Sequence, residues 1–342
     1  MSKGFDPDRF AASKRAQPVI PQILSADTER LAKGFTEIKV AGLGGAGGNT
    51  LDRMIDTHIH GIDFVAINTD RQALEQCQAR KHVAIGGRLT GGLGVGGDIK
   101  LGGRAAEASR AELTEALAGA DMIFVTGGLG GGTGTGAAPV VAAVARDTGA
   151  LTVGVVTLPF SFEGARRREA ALWGVEQLRP LLDAMIVISN DRLLQLAPPN
   201  TGIKQSFQLA DDTLNHGIHG IADLILTPGL INLDYADVRS VMHRAGPAMM
   251  GTGLASGENR ARVAAEAAMS SPLLDTRIDG AHSVLINITG GADLSLFEVN
   301  EAAMLIGEHL GQDCNIIFGA VVHPHLEGQV RITVIATGFG KD

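Results

Sequence analysis

Short apolar runs alternate with helix-forming stretches along the first half of the chain. The apolar runs, which are predicted to be strands, lie at 38–41, 64–67, 122–126, 151–157 and 185–188. Helices are predicted between them, at about 50–57, 104–117, 137–146 and 164–182. Strands that alternate with helices at this spacing are typical of parallel β–α–β units in a doubly wound sheet.

A long amphipathic helix is predicted at 203–225. Apolar residues recur there in steps of three and four, and Pro228-Gly229 ends the pattern. At about 1.5 Å per residue, the helix spans on the order of 35 Å, which is comparable to a small domain. It is therefore long enough to connect two domains.

The pattern changes after this helix. Helices are predicted at 236–250 and 260–269, and strands near 284–288, 315–322 and 329–337. Apolar and polar residues alternate in the last strand, so one of its faces is expected to be buried. The predicted fold class is α/β, with a doubly wound parallel-sheet domain, a long central helix and a second α/β domain.

Four segments follow from these patterns. Residues 1–36 mix charge, proline and polar residues without clear periodicity, and we expect a loosely ordered arm there. The first α/β domain is expected at 37–200, the connecting helix at 201–227 and the second domain at 228–342. No internal repeat or low-complexity stretch is visible.

Composition excludes several classes of protein. A formal net charge of −8 argues against nucleic-acid binding, which needs a basic surface. Only two cysteines occur among 342 residues, and no signal peptide or apolar run of membrane-spanning length is present. We therefore expect a cytoplasmic protein in a reducing compartment.

The stretch 127–136 dominates the candidate chemistry. Seven of its ten residues are glycine, an apolar run precedes it and an alanine-rich run follows it. This order predicts a strand, a tight loop and a helix start, where free backbone amides and the helix dipole can hold a phosphate. A flexible linker is the alternative, but strand and helix patterns directly adjoin the loop.

Two further glycine clusters, at 42–49 and 90–98, are also predicted at the carboxyl ends of strands, where ligands bind in such sheets. The first cluster fits the dinucleotide pattern G-x-G-x-x-G, and Asp63 and Asp70 lie roughly where an acidic ribose ligand is expected. A nicotinamide-dependent oxidoreductase is therefore one hypothesis. Three converging loops without the lysine of a P-loop favour instead a triphosphate held mainly by the main chain.

Several polar residues near strand ends have two interpretations each. Glu163 and Arg167 can grip a ribose and a phosphate, or form a solvated salt bridge. Asn190 can contact a ligand or stabilise a turn. Asp234 and Asp237 can orient water or magnesium, or cap a helix. Phe207 lies on the apolar stripe of the long helix, so a core role is the default.

Taken together, these residues resemble the FtsZ family of bacterial cell-division GTPases, within the tubulin superfamily. Gly130 to Gly136 matches the superfamily signature G-G-G-T-G-T-G, and agreement extends over about residues 37–338. The further matching stretches lie at 66–70, 160–164, 190–194, 228–234, 250–253, 255–258, 270–274 and 334–338. The first domain would then bind GTP, and the second would be the C-terminal activation domain.

The resemblance implies GTP or GDP as the ligand, with magnesium. Glu163 would contact the ribose, Arg167 would lie near the nucleotide, and Phe207 would stack on the guanine, whose edge Asn190 and Asp211 would recognise. The implied nucleotide contacts are Gly45, Ala46, Gly47, Gly48, Asn49, Asp70, Gly96, Gly97, Asp98, Gly131, Gly132, Thr133, Gly134, Thr135, Glu163, Arg167, Asn190, Phe207 and Asp211.

The resemblance also implies a GTPase activated by self-assembly. Subunits would stack head to tail, and Asn232, Asp234 and Asp237 of one subunit would complete the site of the next. No dedicated set of metal-ligating side chains is predicted. The expected partner is a second copy of the chain, with a full-length FtsZ as a further candidate, and the expected place is the cytoplasm or the division site.

Some positions depart from the family's usual pattern. The third glycine loop commonly ends Gly-Asn-Pro, but here it is Gly97-Asp98-Ile99; Leu158 and Ser189 also replace usual residues. The chain ends at Lys341-Asp342, soon after the last predicted strand, without the terminal peptide that binds membrane tethers. A tail-less form or paralogue without direct membrane binding is expected, and a non-catalytic paralogue that modulates filaments is an alternative.

Overall fold

The fold was obtained as a computed structural model. It describes residues 36–57, 61–195, 197–198, 200–227, 229–274, 278–311 and 313–339. The predicted N-terminal arm lies outside the described residues except for Thr36. Residues 36–339 of this description belong to one compact unit, and the domain boundaries stay a prediction.

The strands follow the predicted alternation and add several that the pattern did not indicate. They are β1 (Ile38–Leu43), β2 (Ile62–Asn68), β3 (Lys81–Ala84), β4 (Met122–Gly128), β5 (Leu151–Leu158), β6 (Ala184–Ser189), β7 (Gly229–Ile231), β8 (Gly246–Ser256), β9 (Ser283–Gly290), β10 (Asn315–Val322) and β11 (Gln329–Thr337).

The helices include the long predicted one, here α9. They are α1 (Gly44–Asp56), α2 (Arg71–Gln76), α3 (Gly87–Thr90), α4 (Ile99–Ala108), α5 (Arg110–Leu117), α6 (Gly132–Asp147), α7 (Ala165–Leu178), α8 (Asn190–Leu193), α9 (Ile203–Leu226), α10 (Tyr235–Met242), α11 (Arg260–Met269) and α12 (Leu296–Gly307). None of these helices combines the length and apolar character needed to cross a membrane.

One sheet of eleven strands runs through the described chain, in the order β3-β2-β1-β4-β5-β6-β8-β11-β9-β10-β7. The first six strands in this order pair in parallel, as the alternation predicts. β6 also pairs with β8, over Ala184 to Ile186. The two predicted α/β parts therefore share a continuous sheet in addition to the helix that connects them.

Both faces of the parallel part are buried. Met122 and Phe124 pack into one hydrophobic cluster, whereas the alternate residues Ile123 and Val125 pack into another. Helix α9 lies against the first cluster, to which it contributes Leu214, Ile218 and Ile221. The predicted doubly wound α/β architecture is confirmed.

The predicted helix at 236–250 is wrong in its second half. Helix α10 ends at Met242, Arg244 has a φ of 51°, and the chain enters β8 at Gly246. Pro247 has no N–H group to donate within a helix. The backbone of this segment forms its hydrogen bonds in the sheet instead, where β8 pairs with β6 and β11.

Two other details also differ from the predicted pattern. The helix expected at 104–117 is two helices that meet at Ser109, whose hydroxyl accepts a hydrogen bond from Gly86 N–H. Strand β11 is buried on both faces over most of its length, because residues of α11 pack against one face and α9 packs against the other. Its alternation therefore does not mark a solvent-exposed face.

Candidate functional site

A cavity of about 1160 Å³ opens at the carboxyl edge of the parallel strands. All three predicted glycine clusters reach its wall, which confirms that they converge on one edge. Helices α1 and α6 begin inside the first and central clusters, at Gly44 and Gly132, rather than after them. Two helix N-termini therefore direct unpaired amides and partial positive charge towards the same space.

Four of the lining glycines leave room for a ligand at the wall. A Cβ atom built on Gly45, Gly96, Gly97 or Gly131 would meet no protein atom within 4 Å. Gly96 and Gly97 also have φ values of 54° and 87°, which side-chain-bearing residues rarely adopt. On three sides of the cavity, backbone N–H groups are therefore not covered by side chains and can approach the phosphates of a ligand.

Other glycines within these clusters, and Gly102 shortly after the third cluster, have a packing role. A Cβ at Gly47 would overlap the backbone of Gly42, and one at Gly102 would overlap the carbonyl oxygen of Gly132. A Cβ at Gly136 would overlap the carbonyl oxygen of Ile99. These glycines let α1 approach β1 and let α4 pack closely against α6, which brings the loops together.

The two threonines of the central cluster have different positions. Thr133 lines the cavity, and its hydroxyl lies 2.7 Å from that of Thr69 at the end of β2. Thr135 is fully buried, and its hydroxyl accepts the N–H of Gly130 at 2.7 Å. Neither Gly47 nor Thr135 lines the cavity. Gly48 and Asn49 line a smaller cavity of about 240 Å³ beside it.

Asp70 and Asp98 line the cavity but are committed to helix caps. Asp70 Oδ1 accepts the N–H groups of Gln72 and Ala73, and Asp98 Oδ1 accepts that of Leu101. An aspartate at the end of the third loop thus caps α4, and the helix dipole offsets part of its negative charge.

Glu163 and Arg167 form a salt bridge of 2.6 Å on the cavity wall. The second oxygen of Glu163 accepts the N–H of Phe160 at 2.9 Å. The glutamate is therefore held in place, while the arginine side chain remains more than half exposed. Both earlier interpretations of this pair agree with this geometry.

The other end of the cavity is lined by aromatic and amide side chains. Phe207 is 40% exposed, against the default core role, and contacts Phe160 edge to face at 5.3 Å between centroids. Asn190 is buried, yet its Oδ1 has no hydrogen-bond partner. Such an orphaned acceptor at a cavity wall favours a donor on a ligand.

Asp211 lies beside these residues on the wall. Burial raises the pKa of its carboxyl to about 7, although the charge of Arg53 opposes the shift and that of Asp212 adds to it. The neighbouring Asp191 differs: burial alone would raise its pKa, but hydrogen bonds from Ser161 and the charge of Arg168 bring it below its usual value.

The predicted catalytic residues do not line the cavity. Asp234 and Asp237 form a reciprocal cap at the start of α10, and Asn232 Oδ1 accepts the N–H of Gly229. The adjacent Tyr235 hydroxyl donates to the carbonyl of Asp121, just before β4 begins. Since β4 ends at the cavity with Gly128, this loop lies about 20 Å away, at the opposite edge of the sheet.

Two basic residues on the wall were missed by the sequence analysis. Lys100 lies in the first turn of α4, and Arg166 precedes Arg167 in α7. Neither belongs to a motif, and the positions of α4 and α7 in the fold bring them to the cavity wall. No group of three or more metal-ligating side chains occurs among the described residues.

Comparisons with known proteins agree with this geometry. Residues 37–198 match the model of the Tubulin/FtsZ family GTPase domain, and residues 246–340 match that of the FtsZ family C-terminal domain. The chain is 44% identical to the empty FtsZ dimer of M. jannaschii, with a TM-score of 0.87 and 93% of each chain covered.

Two archaeal structures from Haloferax volcanii are more distant. CetZ2, solved as a GTPγS-bound protofilament, is 25% identical with a TM-score of 0.73, and the match covers 90% of this chain and 94% of that one. CetZ1, a GDP-bound monomer, shares the fold at 22% identity and a TM-score of 0.77, with coverage of 90% and 95%.

Proposed function

This chain belongs to the tubulin/FtsZ family of GTPases, and from that membership we propose that it assembles head to tail into filaments and hydrolyses GTP between subunits. The family's GTPase domain implies that it binds GTP and GDP. The FtsZ match favours this cytoskeletal role over a nicotinamide-dependent oxidoreductase.

We assign the phosphates of GTP to the glycine cradle. The open glycines Gly45, Gly96, Gly97 and Gly131 allow the main chain to approach the phosphates, and the N-termini of α1 and α6 supply partial positive charge. Thr133 adds a hydroxyl donor, and Lys100 and Arg166 add full charges. Glu163 and Arg167 then lie where a ribose and its phosphate enter the cavity.

We assign the guanine to the end of the cavity near Phe207. An ionised Asp211 can accept hydrogen bonds from both the N1–H and the 2-amino group of guanine. The Asn190 oxygen, which has no partner within the protein, can accept a hydrogen bond from a further donor of the ligand. Adenine lacks a hydrogen on N1, so the pair selects against ATP. Phe207 offers an aromatic face or edge to the base.

The position of the Asp234 loop is the observation that carries the shared-site mechanism. Within one chain, Asp234 and Asp237 lie at the sheet edge opposite the cavity. They can therefore act on a bound nucleotide only from another copy stacked along the same axis. A carboxylate supplied in this way orients the attacking water only after assembly.

Magnesium is part of the proposal. The cation prefers oxygen ligands and is commonly held by phosphates with one or two carboxylates. Asp70 and Asp98 are the carboxylates on the phosphate side of the cavity, and each keeps a free second oxygen beyond its helix-capping one. The cation would neutralise phosphate charge there.

A second copy of the chain is the proposed partner, as in the FtsZ dimer and the CetZ2 protofilament. A full-length FtsZ is a further candidate, and the cytoplasm or the division site is the proposed location. The net charge of −8 does not suit nucleic-acid binding.

One experiment tests the proposal as a whole. GTP turnover is measured against protein concentration, with light scattering on the same samples. Turnover per subunit should rise steeply at the concentration where scattering appears. Turnover per subunit that is independent of concentration would contradict the shared site, and filaments without turnover would identify a non-catalytic paralogue.

A further inference from the structure

An ion pair joins the helix of the phosphate cradle to the helix of the base contacts. Arg53 Nη1 of α1 lies 2.9 Å from Asp212 Oδ1 of α9. The N-terminus of α1 lines the cavity through Gly44, Gly45 and Ala46, and α9 lines it through Phe207 and Asp211. The pair therefore connects the two ends of the site from behind the wall.

Asp211 lies next to this pair and feels the charge of both members. Asp212 is its neighbour in sequence and has the same charge, whereas Arg53 faces both carboxylates from α1. The Thr50 hydroxyl, also on α1, lies near Asp211 and donates a hydrogen bond to the carbonyl of Ala46. Asp211 is partly buried, whereas the side chains of Arg53 and Asp212 are 32% and 39% exposed, so a partly solvated ion pair acts on Asp211 at short range.

We propose that the Arg53–Asp212 ion pair positions the Asp211 carboxylate and sets the selectivity of the cavity for guanine. This inference rests on the proposed function, since it takes Asp211 as the group that recognises the base. Arg53 and Asp212 are positioning residues, because neither lines the cavity.

The chemistry requires that Asp211 be charged. A carboxylate accepts two hydrogen bonds from guanine, but a carboxylic acid has a hydrogen that opposes one of the two guanine donors. Burial raises the pKa of Asp211 to about 7, Arg53 lowers it and Asp212 raises it further. At neutral pH the carboxyl is thus divided between its two forms, so a neighbouring charge changes the ionised fraction that can bind guanine.

The two members of the pair should have opposite effects. Arg53→Gln removes the positive charge and should move the titration of Asp211 upward by about one pH unit, the low end of the range for a nearby opposite charge. Asp212→Asn removes the like charge and should move it downward. A role limited to tying α1 to α9 would make both variants weaken binding alike.

The test measures GDP affinity by calorimetry from pH 6 to pH 9, which avoids assembly and turnover. At pH 7 the shift by one unit leaves Arg53→Gln about five-fold weaker than the parent, because a smaller fraction of Asp211 is ionised. At pH 9 the difference should almost vanish. Asp212→Asn should bind GDP more tightly than the parent at pH 6, and Arg53→Lys should restore the parent profile.

Two controls complete the design. Arg110→Gln breaks the exposed ion pair between Arg110 of α5 and Glu107 of α4 and should leave the profile unchanged. A carboxyl NMR titration of Asp211 in the nucleotide-free chain measures its ionisation independently of binding. Equal losses at every pH in both variants, or an Asp211 titration that moves in neither, would overturn the inference.

The same data separate this inference from the proposed function. If the NMR titrations move in opposite directions while GDP affinity does not follow them, Asp211 does not recognise the base, and both the assignment of the guanine and the selectivity role fail. If the titrations do not move although GDP binds with a pH-dependent affinity, the assignment of the guanine stands and only the role of the ion pair fails.

Discussion

The hydroxyl oxygens of Thr69 and Thr133 lie 2.7 Å apart, so the end of β2 is hydrogen-bonded to the first turn of α6. Thr69 is buried and does not line the cavity, whereas Thr133 lines it. The pair fixes the rotamer of Thr133 and leaves its hydroxyl beside the space assigned to the phosphates.

The first prediction compares these two threonines. Thr133→Ala removes a donor to the phosphates and should weaken GDP binding about tenfold or more, the scale of a hydrogen bond to a charged group. Thr69→Val keeps the shape but loses only the supporting bond, so a loss of a few-fold is expected. Calorimetry measures both, and a larger loss in Thr69→Val would contradict the assignment.

A second prediction separates the two kinds of glycine. Gly102→Ala places a Cβ on the carbonyl oxygen of Gly132, so α4 and α6 must move apart. The free energy of unfolding should fall by about 1–3 kcal/mol or more, as measured by urea denaturation. Gly45→Ala places its Cβ in open space and should keep the parent stability while losing nucleotide affinity.

Gly87→Ala is the control for these variants. Gly87 lies in α3 outside the cavity wall, and a Cβ there meets nothing within 4 Å. Both stability and GDP affinity should remain close to those of the parent. A loss of stability in Gly45→Ala as large as that in Gly102→Ala would show that the open glycines also have a packing role.

The glycine pattern shows how far the sequence alone could predict the site. The clusters at 42–49, 90–98 and 127–136 indicated a phosphate cradle, and they do converge on one cavity. Some of these glycines leave space for a ligand, and others allow close packing of the backbone. The sequence could not distinguish them, because the difference depends on neighbours distant in sequence, such as Ile99 beside Gly136. The position of Lys100 on the wall likewise depends on how α4 packs against α6, which is distant in sequence.

The fold shows the same limit. Strand β4 begins with the continuous apolar run Met122 to Val125, so its burial could be predicted from composition. Strand β8 could not, because Gly251 and Gly253 interrupt its apolar pattern, and a Cβ at either would overlap backbone carbonyls of α11. Only the packed structure explains why these positions of a strand are glycine.

A third prediction concerns Lys100 in the first turn of α4. Its charge lies on the phosphate side of the cavity, next to the third glycine loop. Lys100→Gln should weaken the binding of the slowly hydrolysed analogue GTPγS about three- to tenfold, and that of GDP by less, since the triphosphate has more negative charge. Equal losses for the two nucleotides would contradict this placement.

A fourth prediction concerns His216 of α9. Burial lowers its pKa to about 4, and the charges of Arg331 and His219 act in the same direction. In the unfolded chain the histidine titrates near its usual value of about 6.5. Between these values the unfolded state binds the proton and the folded state does not, so stability should decrease as the pH falls from about 6.5 to 4.

The size of this effect follows from the shift. About 2–3 kcal/mol of unfolding free energy should be lost across this window through His216. His216→Gln should remove that part of the pH dependence, and the difference between variant and parent in urea denaturation at several pH values isolates it from other groups. A constant difference from pH 7 to pH 4 would contradict the buried neutral state.

The last prediction concerns catalysis between subunits. Asp234→Ala should leave GTP affinity nearly unchanged, because the residue lies at the sheet edge opposite its own cavity. Turnover should fall by about 10²-fold or more, the scale for losing a group that orients water or transfers a proton. Filaments should form and last longer than those of the parent.

Asp234 also belongs to the cap of α10, so a variant that preserves the cap is needed. Asp234→Asn can still accept the N–H of Asp237 but lacks the carboxylate charge. If the charge matters, Asp234→Asn should be as inactive as Asp234→Ala while its thermal stability stays close to that of the parent. If only the cap matters, Asp234→Asn should keep its activity.

Mixing two inactive variants tests the shared site directly. Thr133→Ala has an intact Asp234 loop, and Asp234→Asn has an intact cavity. In a random one-to-one copolymer, roughly one head-to-tail interface in four pairs these two intact halves and should be active. GTP turnover should therefore rise well above that of either variant alone. If electron microscopy shows copolymers while turnover stays at the level of the separate variants, the carboxylate does not act across the interface.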